Sequence, residues 1–375
     1  MFKRADRFIR ELNHQRIDWF RSAKLKLAQT VLPQFGRWVS EDKASAAILV
    51  FRLDGKIGDS ITATGFLFAL KNSFPDYKLI LVCGKNTFEI YRGLKCIDTV
   101  LILDKGFFQT LKVWIKLANH SFKFLINTSH LLNSQVLFLT NLIKSFRKLT
   151  FLNLNDRSFS DHIFYNSETD HVTTRYQKTL AALSTTSVPP LDYHLELVNL
   201  SVRKKVESII DELRLRYPIV IILNSFAGAR LRNLNQKITT TIVDQMLKAN
   251  SKICIISLGN SDDLKIVRTW GKEFSSPRWL TFEESDLIFN LELVRQSDFV
   301  ITPDTSFVHI ASAFKKPLVA IYREDSTLEK NSLIWAPYGT RAEIVYAGHS
   351  VETPDDINTV DPKEVVARAI KLLSE

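Results

Sequence analysis

Ile301-Thr302-Pro303-Asp304-Thr305-Ser306-Phe307-Val308-His309-Ile310-Ala311-Ser312 runs from an apolar strand, Phe299 to Thr302, through a cluster of hydroxyls into a helix. An α/β protein places ligands at such junctions. The first turn of the helix has unpaired backbone N–H groups, and the helix macrodipole adds partial positive charge beside them. Asp304, Thr305 and Ser306 can cap this helix or meet an anion there, and the stretch alone leaves both uses open.

On either side of the junction the same pattern repeats. From Ala46 onward, short apolar runs alternate with helical segments, the mark of βα units and a mainly parallel sheet. The first half predicts strands at Ala47 to Leu53, Lys78 to Cys83, Thr99 to Leu103, Phe124 to Asn127 and Leu149 to Leu152. The second half predicts them at Ile219 to Leu223, Lys252 to Leu258, Trp279 to Phe282, Phe299 to Thr302, Leu318 to Ile321 and Glu343 to Tyr346, with a closing helix over Pro362 to Leu373. Between the halves, 153–199 is mixed in character, holds one helix near Arg175 to Leu183, and is broken at Val188-Pro189-Pro190, since a proline pair interrupts helix and sheet alike. A chain of 375 residues accommodates about two domains at ~150 residues each. The expected fold class is therefore α/β with two doubly wound, Rossmann-like domains: an arm over 1–45, one domain over 46–198, a second over 199–360 and a closing helix over 361–375.

The net charge of +10 is unevenly placed. Residues 1–40 hold nine Lys or Arg against Asp6, Glu11 and Asp18, a local excess of +6, interleaved with Phe2, Phe8, Trp19, Phe20 and aliphatic residues at helical spacings. Such an arm suits an anionic membrane surface. It equally suits packing on its own protein or on a second subunit, which leaves room for an oligomer. Nucleic-acid binding is disfavoured, because the charge gathers on one arm and no aromatic-and-basic sheet motif or helix-turn-helix occurs. No run approaches the roughly 18 apolar residues of a membrane span, and no signal-peptide core is present, so a cytoplasmic location is expected. Cys83, Cys96 and Cys254 are far apart, form no C-x-x-C, and read as buried free thiols rather than disulfides or metal ligands.

Three further segments carry chemistry. The first strand ends in Arg52-Leu53-Asp54-Gly55-Lys56-Ile57-Gly58-Asp59-Ser60, and a helix follows. This is neither the spaced-glycine fingerprint of a dinucleotide fold nor a Gly-Lys-Ser/Thr phosphate loop. Asp59 either favours the helix N-terminus or acts as a general base, which needs its carboxylate within about 3 Å of a substrate hydroxyl. In the second half, Asn224-Ser225-Phe226-Ala227-Gly228-Ala229-Arg230-Leu231-Arg232 places two arginines on a small-residue turn. Their guanidinium groups suit a diphosphate, or are solvated loop charges. After Leu258, Gly259-Asn260-Ser261-Asp262-Asp263 offers a carboxylate for the two hydroxyls of a ribose, with helix capping by Ser261 or Asp262 as the other use.

In combination these residues resemble a known family. Arg52 to Asp59 with its apolar helix, Asn224 to Leu234, and Pro303 to Ala311 followed by Lys316-Pro317-Leu318-Val319-Ala320-Ile321 look like the ADP-heptose:lipopolysaccharide heptosyltransferases, glycosyltransferase family nine, over about 46–375. Trp335-Ala336-Pro337-Tyr338-Gly339 is similar to the family's late Trp-x-Pro-x-Gly segment. The resemblance implies a GT-B fold, an acceptor on the N-terminal domain, a nucleotide sugar on the C-terminal one, and inversion at the anomeric carbon. Carried over by position, Asp59 is the general base, and Asp54, Lys56 and Gly58 belong to the acceptor-side loop. Asn224, Asp304, Thr305, Ser306 and His309 belong to the donor site, Arg230 or Arg232 meets the diphosphate, and Asp263 holds the ribose. It also implies no metal and no cofactor, the ADP-sugar being a substrate.

This chain departs from the family pattern at Ser306, where glycine is usual, at Arg232-Asn233-Leu234, where a Trp-Pro pair is frequent, and in its long arm. The implied function is transfer of heptose from ADP-heptose to the inner core of lipopolysaccharide or lipooligosaccharide, a lipid-linked saccharide acceptor, by a protein peripheral to the cytoplasmic face of the inner membrane. Rival readings are another nucleotide-sugar donor, a protein acceptor, or an inactive member that binds a nucleotide sugar without turnover.

Overall fold

The structure is a computed structural model that describes residues 25–129, 133–151, 157–184, 188–324, 331–348 and 356–375. Each half of the chain forms one six-stranded parallel sheet. The first contains β1 (Ser45–Arg52), β2 (Lys78–Cys83), β3 (Thr99–Ile102), β4 (Ser121–Asn127), β5 (Lys144–Thr150) and β6 (Asp161–His162). The second contains β7 (Ile219–Asn224), β8 (Ile253–Leu258), β9 (Trp279–Leu280), β10 (Phe299–Pro303), β11 (Leu318–Arg323) and β12 (Ala342–Ala347). The central strands are continuous apolar runs because helices cover both faces of the sheet: six successive residues of β1, Ala47 to Arg52, are buried.

The strand orders are β3-β2-β1-β4-β5-β6 and β12-β11-β10-β7-β8-β9, so the two sheets have the same doubly wound topology. In each, the order reverses between the first and fourth strands, and ligands bind outside the carboxyl ends of the strands at such a switch point. The loop after β1 and the loops after β7 and β10 lie at these two points. This is why segments some 250 residues apart in sequence meet at one place.

β4 starts three residues before its expected first residue, Phe124, and β9 ends two short of Phe282; two other strands depart further from expectation. β5 begins at Lys144, five residues before the predicted start at Leu149, because its leading half, Lys-Ser-Phe-Arg-Lys, conceals buried positions behind charged names. Lys148 is fully buried, with its amine 2.5 Å from the Thr140 carbonyl and its charge over the Trp38 ring. β6 is two polar residues held to β5 partly by the Arg147–Asp161 ion pair, and it has no apolar signature. The three cysteines are buried and free, as expected.

The Ile57–Ser73 helix joins the two halves. It is buried nearly all round, as a helix apolar on every side must be. One side faces the first sheet, another packs on the Ser306–Ala313 helix of the second half, and the extended 191–199 stretch crosses it at Gly65, where a Cβ would stand 2.6 Å from the Asp192 carbonyl. The inner cores of the two sheets form one continuous apolar cluster. The Pro362–Ser374 helix closes against β11 and β12 and against the Gln236–Ala249 helix.

Of the N-terminal arm, 1–24 lie outside the described residues, including seven of the nine basic side chains of 1–40. Residues 25–31 are helical, and Leu25, Ala28 and Leu32 pack on the outer core of the first sheet. This short part of the arm therefore rests on its own domain. No helix among the described residues is long and apolar enough to cross a membrane.

Candidate active site

A cleft of about 990 Å³ opens between the carboxyl edges of the two sheets. Its first wall is the loop after β1 and the start of the Ile57–Ser73 helix. The loop turns at Gly55, whose φ of +68° is a conformation that favours glycine. Just before it, Arg52 is 1 % exposed and donates to the Thr128 carbonyl. Its guanidinium stands 3.0 Å from Asp54 and 3.6 Å from Asp59. Asp59 is buried in the first turn of the helix and lines the cleft. Burial pushes the Asp59 carboxyl above its ordinary value, the Arg52 charge opposes that rise, and the Asp54 carboxylate reinforces it. The result is a carboxylate that takes a proton more readily than a surface Asp while a neighbouring cation still favours its ionised form.

The second wall is built from three loops. After β10, Thr305 caps the Ser306–Ala313 helix, its side chain accepting the Phe307 N–H at 3.2 Å. The Thr305 hydroxyl also meets those of Thr302 and the amide of Asn224. Asp304 pairs with Arg232 at 2.9 Å, and the Arg232 guanidinium donates to the Asp304 carbonyl as well. Ser306, beyond the cap, is half-buried and lines the cleft. After β7, Arg230 is exposed at the cleft and makes no ion pair among the described residues. After β8, Asn260 and Asp263 form a capping box for the Ser261–Phe274 helix. The Asp263 carboxyl accepts the Asn260 N–H at 3.3 Å and is raised by partial burial.

The two walls touch at Gly58. A Cβ there would come within 3.1 Å of the His309 ring and 3.4 Å of the Ser306 backbone, so the missing side chain is what lets the two helices approach. His309 is 4 % exposed and edged by the rings of Tyr193 and Trp335, each at 5.9 Å. Burial, with His171 nearby, lowers its pKa to about 3. His309 is thus a neutral ring at any ordinary pH, and offers a ligand hydrogen bonding and contact rather than charge.

The cleft therefore collects Lys56, Gly58, Asp59, Arg230, Arg232, Asp263, Asp304, Thr305, Ser306 and His309 from the expected site. Two expected residues stand behind its walls instead. Asp54 pairs with Arg52 beneath the first wall, and Asn224, 1 % exposed, ties the β7 and β10 loops together from below. The alternatives open at Asp304 to Ser306 divide residue by residue: Thr305 caps, Asp304 pairs, and Ser306 reaches the cleft. Capping of the next helix falls to Asn260 rather than Ser261 or Asp262. Sequence reasoning missed Arg52 as a member of the site, and also Arg175, which is fully buried beside the Tyr176 and Phe151 rings and contributes positive charge to Asp59. Nothing in a sequence separates a buried arginine from a solvated one. Trp335 and Arg323 complete the lining. Among the described residues no group of three or more His, Cys, Asp or Glu is arranged to hold a metal ion.

Comparison with known proteins bears on this geometry. Residues 242–362, which span β8 to β12, match the family model described as glycosyltransferase family 9 (heptosyltransferase). This region is similar to glycosyltransferase family 9. The matched region contains the Asp304 to His309 block, whereas Asp59 and the Arg230 turn lie N-terminal to it. The chain is 30 % identical over 185 residues to the Escherichia coli (strain K12) protein named "Putative lipopolysaccharide heptosyltransferase 4", an alignment that spans 49 % of this chain and 46 % of that relative, about half of each.

Solved structures extend the likeness in fold to both sheets. A family 9 glycosyl transferase of Veillonella parvula superposes with a TM-score of 0.75 at 18 % identity, covering 88 % of this chain and 97 % of that one. The E. coli ADP-heptose heptosyltransferase II gives 0.67 at 13 % identity over 88 % and 98 %. E. coli heptosyltransferase WaaC, determined with ADP, gives 0.63 at 13 % over 87 % and 99 %. The two-sheet architecture around the matched region is thus the GT-B fold of these structures.

Proposed function

We propose that this protein is an inverting heptosyltransferase that moves heptose from ADP-heptose to the inner core of a lipopolysaccharide or lipooligosaccharide, with Asp59 as general base. One observation carries the reading: a buried carboxylate of raised pKa on one wall faces a capped helix N-terminus and an arginine turn on the other, across a cleft wide enough for a nucleotide sugar. The matched family 9 region and the heptosyltransferase relatives support the donor class.

In this reading the ADP group lies along the second wall. Arg230 and the N-terminus of the Ser306–Ala313 helix face its phosphates, and Asp263 accepts from the ribose hydroxyls. The acceptor enters along the loop at Lys56 to Gly58. Asp59 removes the proton of the acceptor hydroxyl as its oxygen forms a bond to the anomeric carbon on the face opposite the diphosphate, and the bond from that carbon to the ADP oxygen breaks. ADP departs with the electron pair, and the configuration inverts. The positive wall stabilises charge that develops on the departing diphosphate. The neutral His309 ring packs beside the sugar without competing as a base.

Ser306 places a hydroxymethyl group where the family usually has none, which narrows the space beside the phosphates or sugar. The test is binding and turnover together. The purified protein is expected to be stabilised by ADP and ADP-heptose over UDP, GDP and CMP sugars in a thermal shift series, and to transfer heptose to truncated lipooligosaccharide. A clear preference for a non-adenine nucleotide would overturn the donor assignment.

A further inference from the structure

The Phe107–Leu117 helix follows β3 and begins at the carboxyl edge of the first sheet, the edge on which the cleft lies. Its inner face, Thr110, Val113 and Leu117, is buried on the outer core of that sheet. Its outer face is not that of a solvated helix. Phe107 is 64 % exposed, Phe108 77 % and Ile115 59 %. Phe108, Lys112, Ile115 and Lys116 follow the spacing that stacks side chains on one helix face. The segment 105–117 carries three exposed lysines, Lys105, Lys112 and Lys116, and no Asp or Glu. Asp104, exposed just before Lys105, is the one acidic side chain of 104–117, so the exposed aromatics lie in a segment of net positive charge, and adjacent exposed apolar residues so placed mark an interaction surface, where scattered single ones would not. The 25–31 helix packs on the same outer core and leaves Lys26, Leu27 and Val31 exposed.

We propose that this face docks the protein on an anionic phospholipid bilayer, with Phe107, Phe108 and Ile115 at headgroup level and the three lysines among the lipid phosphates. Charge complementarity selects the occupant. A second copy of the same patch would bring lysines against lysines across a two-fold axis, whereas an anionic leaflet meets both the rings and the charges. The position also has a consequence for the cleft. β3 is two strands from β1, about 10 Å at the usual strand spacing, so docking here brings the carboxyl edge that holds Asp59 toward the bilayer. The inference does not rest on the donor or the reaction, and its test involves no sugar transfer.

The full-length protein is mixed with vesicles of phosphatidylcholine alone or of phosphatidylcholine with phosphatidylglycerol. Flotation is expected with the anionic vesicles only, and the double variants Phe107→Ser/Phe108→Ser and Lys112→Glu/Lys116→Glu are each expected to lower the partition coefficient at least about tenfold. Circular dichroism should be unchanged, because the altered side chains are exposed. A second readout is local: an environment-sensitive dye on Phe108→Cys is expected to shift to the blue on anionic vesicles, whereas the same dye on Leu215→Cys, 86 % exposed on the other domain, should not shift. The proposal is overturned if both double variants float as the unaltered protein does, if the two labelled positions respond alike, or if the aromatic variant abolishes a dimer in sedimentation while flotation is unchanged, which would assign the face to a second copy.

Discussion

The two walls of the cleft handle charge in opposite ways. On the first, Arg52, Asp54 and Asp59 have side chains no more than 6 % exposed, and their charges act on one another with little water between them. On the second, Arg230 is exposed, and the Arg232–Asp304 pair is partly so, at 31 % and 12 %. Desolvated charges shift each other's proton affinity strongly, and solvated ones weakly. A wall of the first kind can tune a base. The second kind can take up and release a dianionic ligand without leaving a buried charge uncompensated each time. The arginine that pairs with Asp304 is also half neutralised, which leaves Arg230 as the cation better placed for phosphate.

The sharpest way to break this division is Asp59→Asn. Transfer is expected to fall ~10²- to 10⁴-fold, with the dissociation constant for ADP, measured by calorimetry, unchanged because the nucleotide lies on the other wall. The pH dependence follows from the same residue. A base must be ionised, and burial raises the Asp59 pKa, so the acidic limb of the rate profile should lie above the ordinary Asp value of about 3.9. A limb at or below that value would contradict the desolvated wall.

Arg52→Met tests the wall as a structure. Removing the cation leaves two buried carboxylates facing each other, and denaturant unfolding should show a loss of about 3–5 kcal/mol. The acidic limb should also move to higher pH, because burial and Asp54 are then opposed only by the smaller contributions of Arg175 and Lys56. Arg230→Ala addresses the solvated wall: affinity for ADP should fall about 10- to 100-fold, the usual worth of a charged hydrogen bond, and salt should narrow the difference. Arg232→Ala should cost less in ADP affinity, since that side chain already answers Asp304. Equal losses at the two arginines would erase the distinction drawn between them.

A further test lies at His309, where the walls meet. Its folded-state pKa of about 3 lies below the ordinary 6.5, so the unfolded chain takes up this proton first. Stability from the neutral buried ring is present above pH 6.5 and is lost progressively as pH falls toward 3. In His309→Gln the melting temperature should therefore decline less steeply between those values than in the unaltered protein. Parallel slopes would place the ring in water rather than between the helices.

Much of this molecule was legible in its sequence, and the exceptions share a cause. Strands such as β1, β7 and β8 are apolar along their length because both sheet faces are covered, so they announce themselves. β5 does not, since Lys148 and Arg147 name charges where the fold provides a backbone carbonyl, a tryptophan ring and Asp161 as partners. The site behaved likewise. Every loop that carried a chemical motif reached the cleft, but Asp54 and Asn224 ended behind its walls, and Arg52 and Arg175, which by name look like ordinary surface charges, are buried behind Asp59. Whether a polar residue is solvated or buried depends on partners far away in the chain, and local pattern carries no record of them.

The sequence by itself determined the succession of βα units, their division between two sheets, and the loops that hold acid, hydroxyl and guanidinium groups, because these follow from short-range periodicity and turn chemistry. Only the tertiary structure decided that Asp59 and not Asp54 faces the cleft, that Arg232 answers Asp304 while Arg230 stays available, and that His309 is a neutral ring seated against Gly58. Those outcomes depend on which charges are desolvated and which lie within 3 to 4 Å of one another. Both are set when two switch points, one in each sheet, are brought face to face.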